Sequence, residues 1–216
     1  MPRILPGETD VYALTDSRLA LGRSVEEQAR ALLSAGVKIL QYREKHAHAG
    51  VMLEECRLLR RLTLEAGACF IVNDHVDIAM LVDADGVHVG QDDLPVPEVR
   101  RLLGPDKIIG LSTHSPEQAR AAVAAGADYI GAGAVFGTTT KQDAKSLSLE
   151  TLREICRAVS IPVVAIGGVN ADNLPRLAGT GAAGAAVVSA LFAQPDPEEA
   201  ARRLRHLADR MVSAGG

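Results

Sequence analysis

Short apolar runs alternate with amphipathic stretches along the whole chain. Eight runs read as strands: "VYALTD" (11–16), "VKILQYR" (37–43), "CFIVND" (69–74), "GVHVGQ" (86–91), "KIIGLST" (107–113), "DYIGAGAVF" (128–136), "PVVAIGG" (162–168) and "AAVVSALF" (185–192). Each is bounded by turn residues. The segments between them carry helix signals. "SVEEQARALLSAG" opens on Ser24 with Glu27 three residues on, a capping box, and closes on Gly36. "SPEQARAAVAAGA" repeats the design with Ser115, Pro116 and Gln118, closing on Gly126. "DPEEAARRLRHLADRMV" starts on Asp196, Pro197 and Glu199. Near-continuous apolar strands suggest a parallel sheet covered on both faces. Eight strand–helix units share 216 residues. The pattern predicts an α/β protein built as one single-domain (β/α)8 TIM barrel spanning 1–216, with 1–10 a leading segment. A doubly wound open sheet is the structural alternative.

On a barrel of this kind, chemistry gathers where strands end. The second run exits through Gln41, Arg43 and Lys45. Residues two apart share a strand face, so these three point one way, and Tyr42 and Glu44 the other. Two cations and an amide on one face suit an anion, with a solvated loop as the alternative. The third run exits through Asn73 and Asp74, the fourth through Gln91, Asp92 and Asp93. Neighbouring strands would let Asp74 and Asp93 converge as a hard oxygen site for Mg²⁺. Taken singly, each Asp could instead cap the helix that follows. The fifth run offers Ser112, Thr113 and His114, where capping competes with catalysis. The loop "GTTTKQDAKS" (137–146) combines hydroxyls with lysines, as a phosphate requires. Gly167 and Gly168, then Val188 and Ser189, expose backbone amides at the seventh and eighth exits, where barrels often hold phosphate. Two phosphorylated ligands are implied, one of them a metal-bound diphosphate, and joining them would be transferase chemistry.

Composition narrows the classes without changing this picture. Apolar residues make up 47% of the chain and the net charge is −4, so no basic field points to nucleic acid. No apolar run approaches the ~18 residues of a membrane span, and "MPRILPGETD" lacks the apolar core of a signal peptide. Cys56, Cys69 and Cys156 are scattered, as reduced core thiols of a cytoplasmic protein would be. Small phosphorylated molecules are the expected partners, and the pattern leaves room for a homo-oligomer.

Taken in order, "QYREK", "IVNDHVDIA", "DGVHVGQDDL", "GLSTHS", "DYIGAGAVFGTTTKQDA", "PVVAIGGV" and "VVSALF" resemble the thiamine phosphate synthase family over about residues 11–192. That resemblance implies coupling of 4-amino-2-methyl-5-(diphosphooxymethyl)pyrimidine to 4-methyl-5-(2-phosphooxyethyl)thiazole, with loss of pyrophosphate. It implies ionisation of the diphosphate and capture of the cation by the thiazole nitrogen. By position, Gln41, Tyr42, Arg43, Glu44 and Lys45 would belong to the pyrimidine diphosphate site, with Asn73, Ser112 and Lys141. Of these, Arg43, Lys45, Ser112 and Lys141 would act catalytically. Asp74 and Asp93 would hold Mg²⁺. Thr138, Thr139 and Thr140, with Gly168, Val188 and Ser189, would meet the thiazole phosphate. His75, His88 and His114 would play supporting roles. Ala134 and Gly137 stand where the family often has proline, which should leave that loop less constrained. The HAH segment, His46 to His48, lacks a third ligand nearby and reads as a solvated loop. Two rivals share the fold: a thiazole phosphate tautomerase, and a barrel that only binds thiamine phosphates.

Overall fold

A computed structural model describes residues 11–137 and 146–213. Eight parallel strands close into a barrel in chain order. They are β1 (Val11–Leu14), β2 (Ile39–Tyr42), β3 (Cys69–Asn73), β4 (Gly86–Val89), β5 (Ile108–Thr113), β6 (Tyr129–Gly133), β7 (Val163–Ile166) and β8 (Gly184–Val187). The closing contact pairs Tyr12 of β1 with Ala186 of β8. The helices are α1 (Val25–Ser34), α2 (Ala49–Ala66), α3 (Val76–Leu81), α4 (Val96–Leu103), α5 (Pro116–Ala124), α6 (Leu149–Ala158), α7 (Ser189–Phe192) and α8 (Pro197–Ser213). A 3-10 turn at Leu174–Leu177 stands between β7 and β8 where a regular helix would complete the repeat. The open-sheet alternative is excluded by closure.

Helix starts follow the capping chemistry. Ser24 Oγ accepts from the Glu27 amide while Glu27 Oε2 accepts from the Ser24 amide. Asp196 Oδ1 accepts from the Glu199 amide at the head of α8. The strands are shorter than the apolar runs because their polar ends are already loop. The eighth run divides: only its first half is strand, and "SALF" turns into α7. A short apolar run satisfies either period, so its sequence could not separate the two.

Alternation sorts the strands into two cores. Val11, Ala13, Leu40, Phe70, Val72, Val87 and Ile109 face the helices. Tyr12, Leu14, Ile39, Ile71, Ile108, Tyr129 and Val164 fill the barrel interior. Each such buried side chain contributes about 1.5–3 kcal/mol of transfer free energy. Two aspartates brace the bottom of the barrel. Asp85 accepts from the Phe70 amide at 2.8 Å and from Arg60 at 2.9 Å. Asp128 accepts from the Ile109 amide at 2.8 Å and from Arg100 at 2.6 Å. Both tie one strand to the previous one at the end away from the loops where chemistry is expected.

No helix among the described residues is long and apolar enough to cross a membrane. No disulfide links Cys56, Cys69 and Cys156. Burial pushes the Cys56 thiol up to about 12 and the Cys156 thiol up to about 11, which suits packing rather than reactivity.

Candidate functional site

A cavity of about 280 Å³ opens at the C-terminal ends of the strands. Its depth is set by the inward residues of the barrel, because Tyr12 and Tyr129 form the floor. Its polar wall comes from consecutive strand exits. Gln41, Arg43 and Lys45 leave β2 on one face; Asn73 and Asp74 end β3; Asp93 follows β4; Ser112 lies on β5. These seven residues are brought together as the alternation of each strand requires.

Arg43 is not loose at this rim. Its guanidinium meets Asp16 Oδ2 at 3.3 Å, with both side chains largely buried. Its backbone amide donates to Thr15 Oγ1 at 3.0 Å. Asp16 is itself fixed, since its Oδ1 accepts from the amides of Arg18 and Leu19. A buried guanidinium with one partner keeps further N–H donors for a second anion.

The third strand ends abruptly. The Asp74 amide donates to the His88 carbonyl at 2.9 Å, and the backbone then turns with Asp74 at φ 61°. Non-glycine residues seldom occupy this region, and Asp is among the few that tolerate it. The turn aims Asp74 at Asp93, whose Oδ2 is held by the Gly90 amide at 2.7 Å. Burial and the Asp93 carboxylate together hold the Asp74 carboxyl above its usual range, against the opposing pull of Lys45 and Asn73. Neither Asp caps a helix: α3 is preceded by His75 and α4 by Pro95, both without a side-chain cap. The capping alternative for these aspartates is therefore set aside. Two adjacent carboxylates, with no third His, Cys, Asp or Glu grouped on them among the described residues, form an open oxygen site. That donor set fits Mg²⁺, which keeps waters and substrate phosphates in its shell. The HAH segment likewise forms no metal cluster.

The other expected residues lie elsewhere. Tyr42 is buried on the outer face of β2, where its hydroxyl donates to Glu55 of α2 at 2.6 Å. It lies outside the cavity, as a residue of odd parity to Gln41 must. Glu44 also lies outside, in a small side cleft, and its carboxylate accepts from the amides of Lys45 and His46. Gly168, Val188 and Ser189 sit at the exits of β7 and β8 but do not line this cavity. Thr138, Thr139, Thr140 and Lys141 fall outside the described residues. The stem of their loop is fixed, since Val135 and Phe136 donate to the carbonyls of Ile166 and Gly167. His114 neither caps nor reaches the cavity; its Nδ1 lies 2.7 Å from the Gly133 carbonyl, and Ser115 caps α5.

Three contributors were missed from sequence, Asp16, Tyr12 and Tyr129, while His88 was expected only in a supporting role. A signal existed. Tyr12, Leu14 and Asp16 alternate on β1 and its exit, as Gln41 and Arg43 do on β2. The tyrosines read as core, and in composition they are. Their hydroxyls join a buried chain. Gln41 Nε2 donates to Tyr12 Oη at 2.8 Å, Tyr12 and Tyr129 hydroxyls meet at 2.6 Å, and His88 Nδ1 lies 2.9 Å from Tyr129 Oη. His88 Nε2 then lies 3.0 Å from Ser112 Oγ. Gln41 Oε1 is left buried without a partner.

Residues 11–191 match the family described as thiamine monophosphate synthase. The chain is 50% identical over 200 residues to a thiamine-phosphate synthase of Lawsonia intracellularis, covering 91% of this chain and 92% of that protein. It is 51% identical over 198 residues to a thiamine-phosphate synthase of Chloroflexus aurantiacus, covering 91% of each. A solved thiamine phosphate pyrophosphorylase of Pyrococcus furiosus superposes with TM-score 0.88 at 42% identity, over 95% of this chain and 98% of that one.

Proposed function

The chain belongs to the thiamine monophosphate synthase family, and on that premise we propose that its barrel mouth couples 4-amino-2-methyl-5-(diphosphooxymethyl)pyrimidine to 4-methyl-5-(2-phosphooxyethyl)thiazole, giving thiamine phosphate and pyrophosphate. One observation supports the assignment of the site above others. Gln41, Arg43, Lys45, Asn73, Asp74, Asp93 and Ser112, from four consecutive strand exits, face one cavity. No nucleophile activated by a base is needed, because the thiazole nitrogen supplies its own lone pair. What the reaction needs is a stabilised leaving group.

Arg43, oriented by Asp16, presents its remaining N–H donors to the diphosphate. Lys45 adds a second charge at the exposed rim. Asp74 and Asp93 would hold Mg²⁺, which when bound neutralises charge building on the departing diphosphate. Asn73 and the Ser112 hydroxyl donate to the same group. The C–O bond to the pyrimidine methylene breaks with its electron pair on the diphosphate, and the thiazole nitrogen fills the empty orbital. The cavity's apolar side, with Leu14, Val164, Ile166 and Ala186, limits water as a competing nucleophile. We assign the thiazole phosphate to the exits of strands six to eight, with Gly168, Val188 and Ser189 and with the Thr138–Lys141 run that follows β6 in sequence. Reduced thiols fit a cytoplasmic setting.

The test is direct. Purified protein with both substrates and Mg²⁺ should release thiamine phosphate and pyrophosphate in equal amounts, followed by chromatography and a phosphate assay. Conversion of the thiazole alone to an isomer, with no coupled product, would replace this reading with the tautomerase.

A further inference from the structure

The five-membered chain Gln41–Tyr12–Tyr129–His88–Ser112 runs under the cavity from one side to the other, and both its ends line that cavity. Tyr12 and Tyr129 are fully enclosed, with Cys69 packed beside them, and burial drives both phenols well above their usual range, so each keeps its single proton. A neutral hydroxyl donates once. A neutral imidazole donates through one nitrogen and accepts through the other. With His88 as the neutral imidazole, such a chain can point in only two ways.

In the first, the Gln41 amide nitrogen donates to Tyr12, Tyr12 to Tyr129, Tyr129 to His88 Nδ1, and His88 Nε2–H to Ser112. Gln41 Oε1 is then left as an acceptor without a donor, on a side chain that lines the cavity, and the Ser112 proton is left to donate into it. In the second, every bond reverses. Ser112 donates to His88, the amide is flipped, and its NH2 faces the cavity while Ser112 keeps only lone pairs for a ligand. The two ends are thus coupled: acceptor at Gln41 goes with donor at Ser112, and the reverse. Gln41 Oε1, buried and unpartnered, is what the first direction leaves open for a ligand.

We propose that this buried relay, set by Tyr12, Tyr129 and His88 as positioning residues, makes the site selective for a ring that donates an N–H at Gln41 while carrying an anion at Ser112. The inference rests on the functional reading above and specifies the ring chemistry that reading requires. An aminopyrimidine bearing a diphosphate satisfies both ends with one relay direction. The anion demands the Ser112 proton, which fixes the relay, which turns Gln41 Oε1 toward the ring amine. A 4-oxo ring demands the opposite amide at Gln41 and so loses a hydrogen bond at one end or the other. The same polarity favours the reaction. As the diphosphate leaves, positive charge spreads onto the ring amine, and an oxygen accepting its N–H holds it more tightly in the transition state than in the ground state.

The test compares kcat/KM for the 4-amino and 4-oxo pyrimidine diphosphates in the wild type, Tyr12→Phe and Tyr129→Phe. Intrinsic reactivity of the two rings cancels between enzymes, so the change in their ratio is the readout. Phenylalanine keeps the buried ring and removes only the hydroxyl, uncoupling Gln41 from Ser112. The amino-to-oxo preference should fall about tenfold or more in each variant, the scale of leaving one buried polar group unsatisfied. The loss on the amino substrate should appear more in kcat than in KM. Equal losses on both substrates, with the ratio kept within about twofold, would reduce the tyrosines to packing and overturn the inference. ¹⁵N spectra of the wild type bound to the amino substrate's unreactive diphosphonate provide a check that needs no variant. A neutral His88 protonated on Nε2 supports the relay, and one protonated on Nδ1, or an imidazolium, overturns it. No coupled product from the wild type would overturn the functional reading, and the inference with it; an active wild type with unchanged ratios in the variants overturns the inference alone.

Discussion

Gly110 should resist replacement even by alanine. A Cβ built there lies 2.2 Å from Cζ of Tyr129 and 2.4 Å from Nδ1 of His88. Ordinary carbon contact begins near ~3.5 Å, so the Tyr129 ring must retreat by more than about 1 Å. That ring is wholly buried and pinned by hydrogen bonds to Tyr12 and His88. Overpacking costs about 1–3 kcal/mol, and disturbing two hydrogen bonds adds about 1 kcal/mol each. Gly110→Ala should therefore destabilise by about 3–5 kcal/mol, lowering the melting temperature by about 10 °C for a chain of this size. The same change at Gly50 is the control. That position lies in the first turn of α2 with nothing within 4 Å of an added Cβ, so alanine should stabilise by about 0.5–1 kcal/mol through helix propensity. Circular-dichroism melts and guanidinium midpoints measure both. Opposite signs are expected. Melting of Gly110→Ala within about 2 °C of the wild type would refute the packing described for the barrel floor.

Other outcomes follow from single contacts. Asp16→Asn keeps the acceptor for the Arg18 and Leu19 amides but removes the charge facing Arg43; KM for the pyrimidine diphosphate should rise about tenfold in steady-state kinetics, the scale of one charged hydrogen bond. Asp74→Asn removes the like-charge approach to Asp93, so without metal it should melt higher than the wild type. Mg²⁺ with pyrophosphate, at a hundredfold excess over Kd, should stabilise only the wild type, by about 2.7 kcal/mol in thermal shift. Asp85→Ala strips a largely buried partner from Arg60 and an acceptor from the Phe70 amide; it should cost about 3 kcal/mol in a guanidinium titration with kcat unchanged.

The barrel was legible because its signals are local. Eight apolar runs with capped helices between them leave little choice of fold, and strand parity alone put Gln41, Arg43 and Lys45 on one face. Parity also argued against Tyr42 and Glu44, and it was contiguity with a family motif that kept them among the site residues. The buried chain was not legible. Tyr12 and Tyr129 lie 117 positions apart, and a buried tyrosine looks like any core aromatic until closure of the barrel brings β1 and β6 across from each other. His88 shows the same limit. Its neighbours in sequence are apolar, and only the glycines opposite it, Gly110 and Gly131, make room for its ring. Asp16 closed the first apolar run, where an aspartate reads as the polar end of a strand until an arginine from the next strand is found against it.

The most direct measurement of the central claim is thiamine phosphate formation from both substrates, with Mg²⁺ or with EDTA, by the wild type and Asp74→Ala. Mg²⁺-dependent product that collapses in the variant, while the variant stays folded, is the predicted result. Equal turnover in EDTA, or an undiminished variant, would contradict the assignment of Asp74 and Asp93 to the diphosphate's metal.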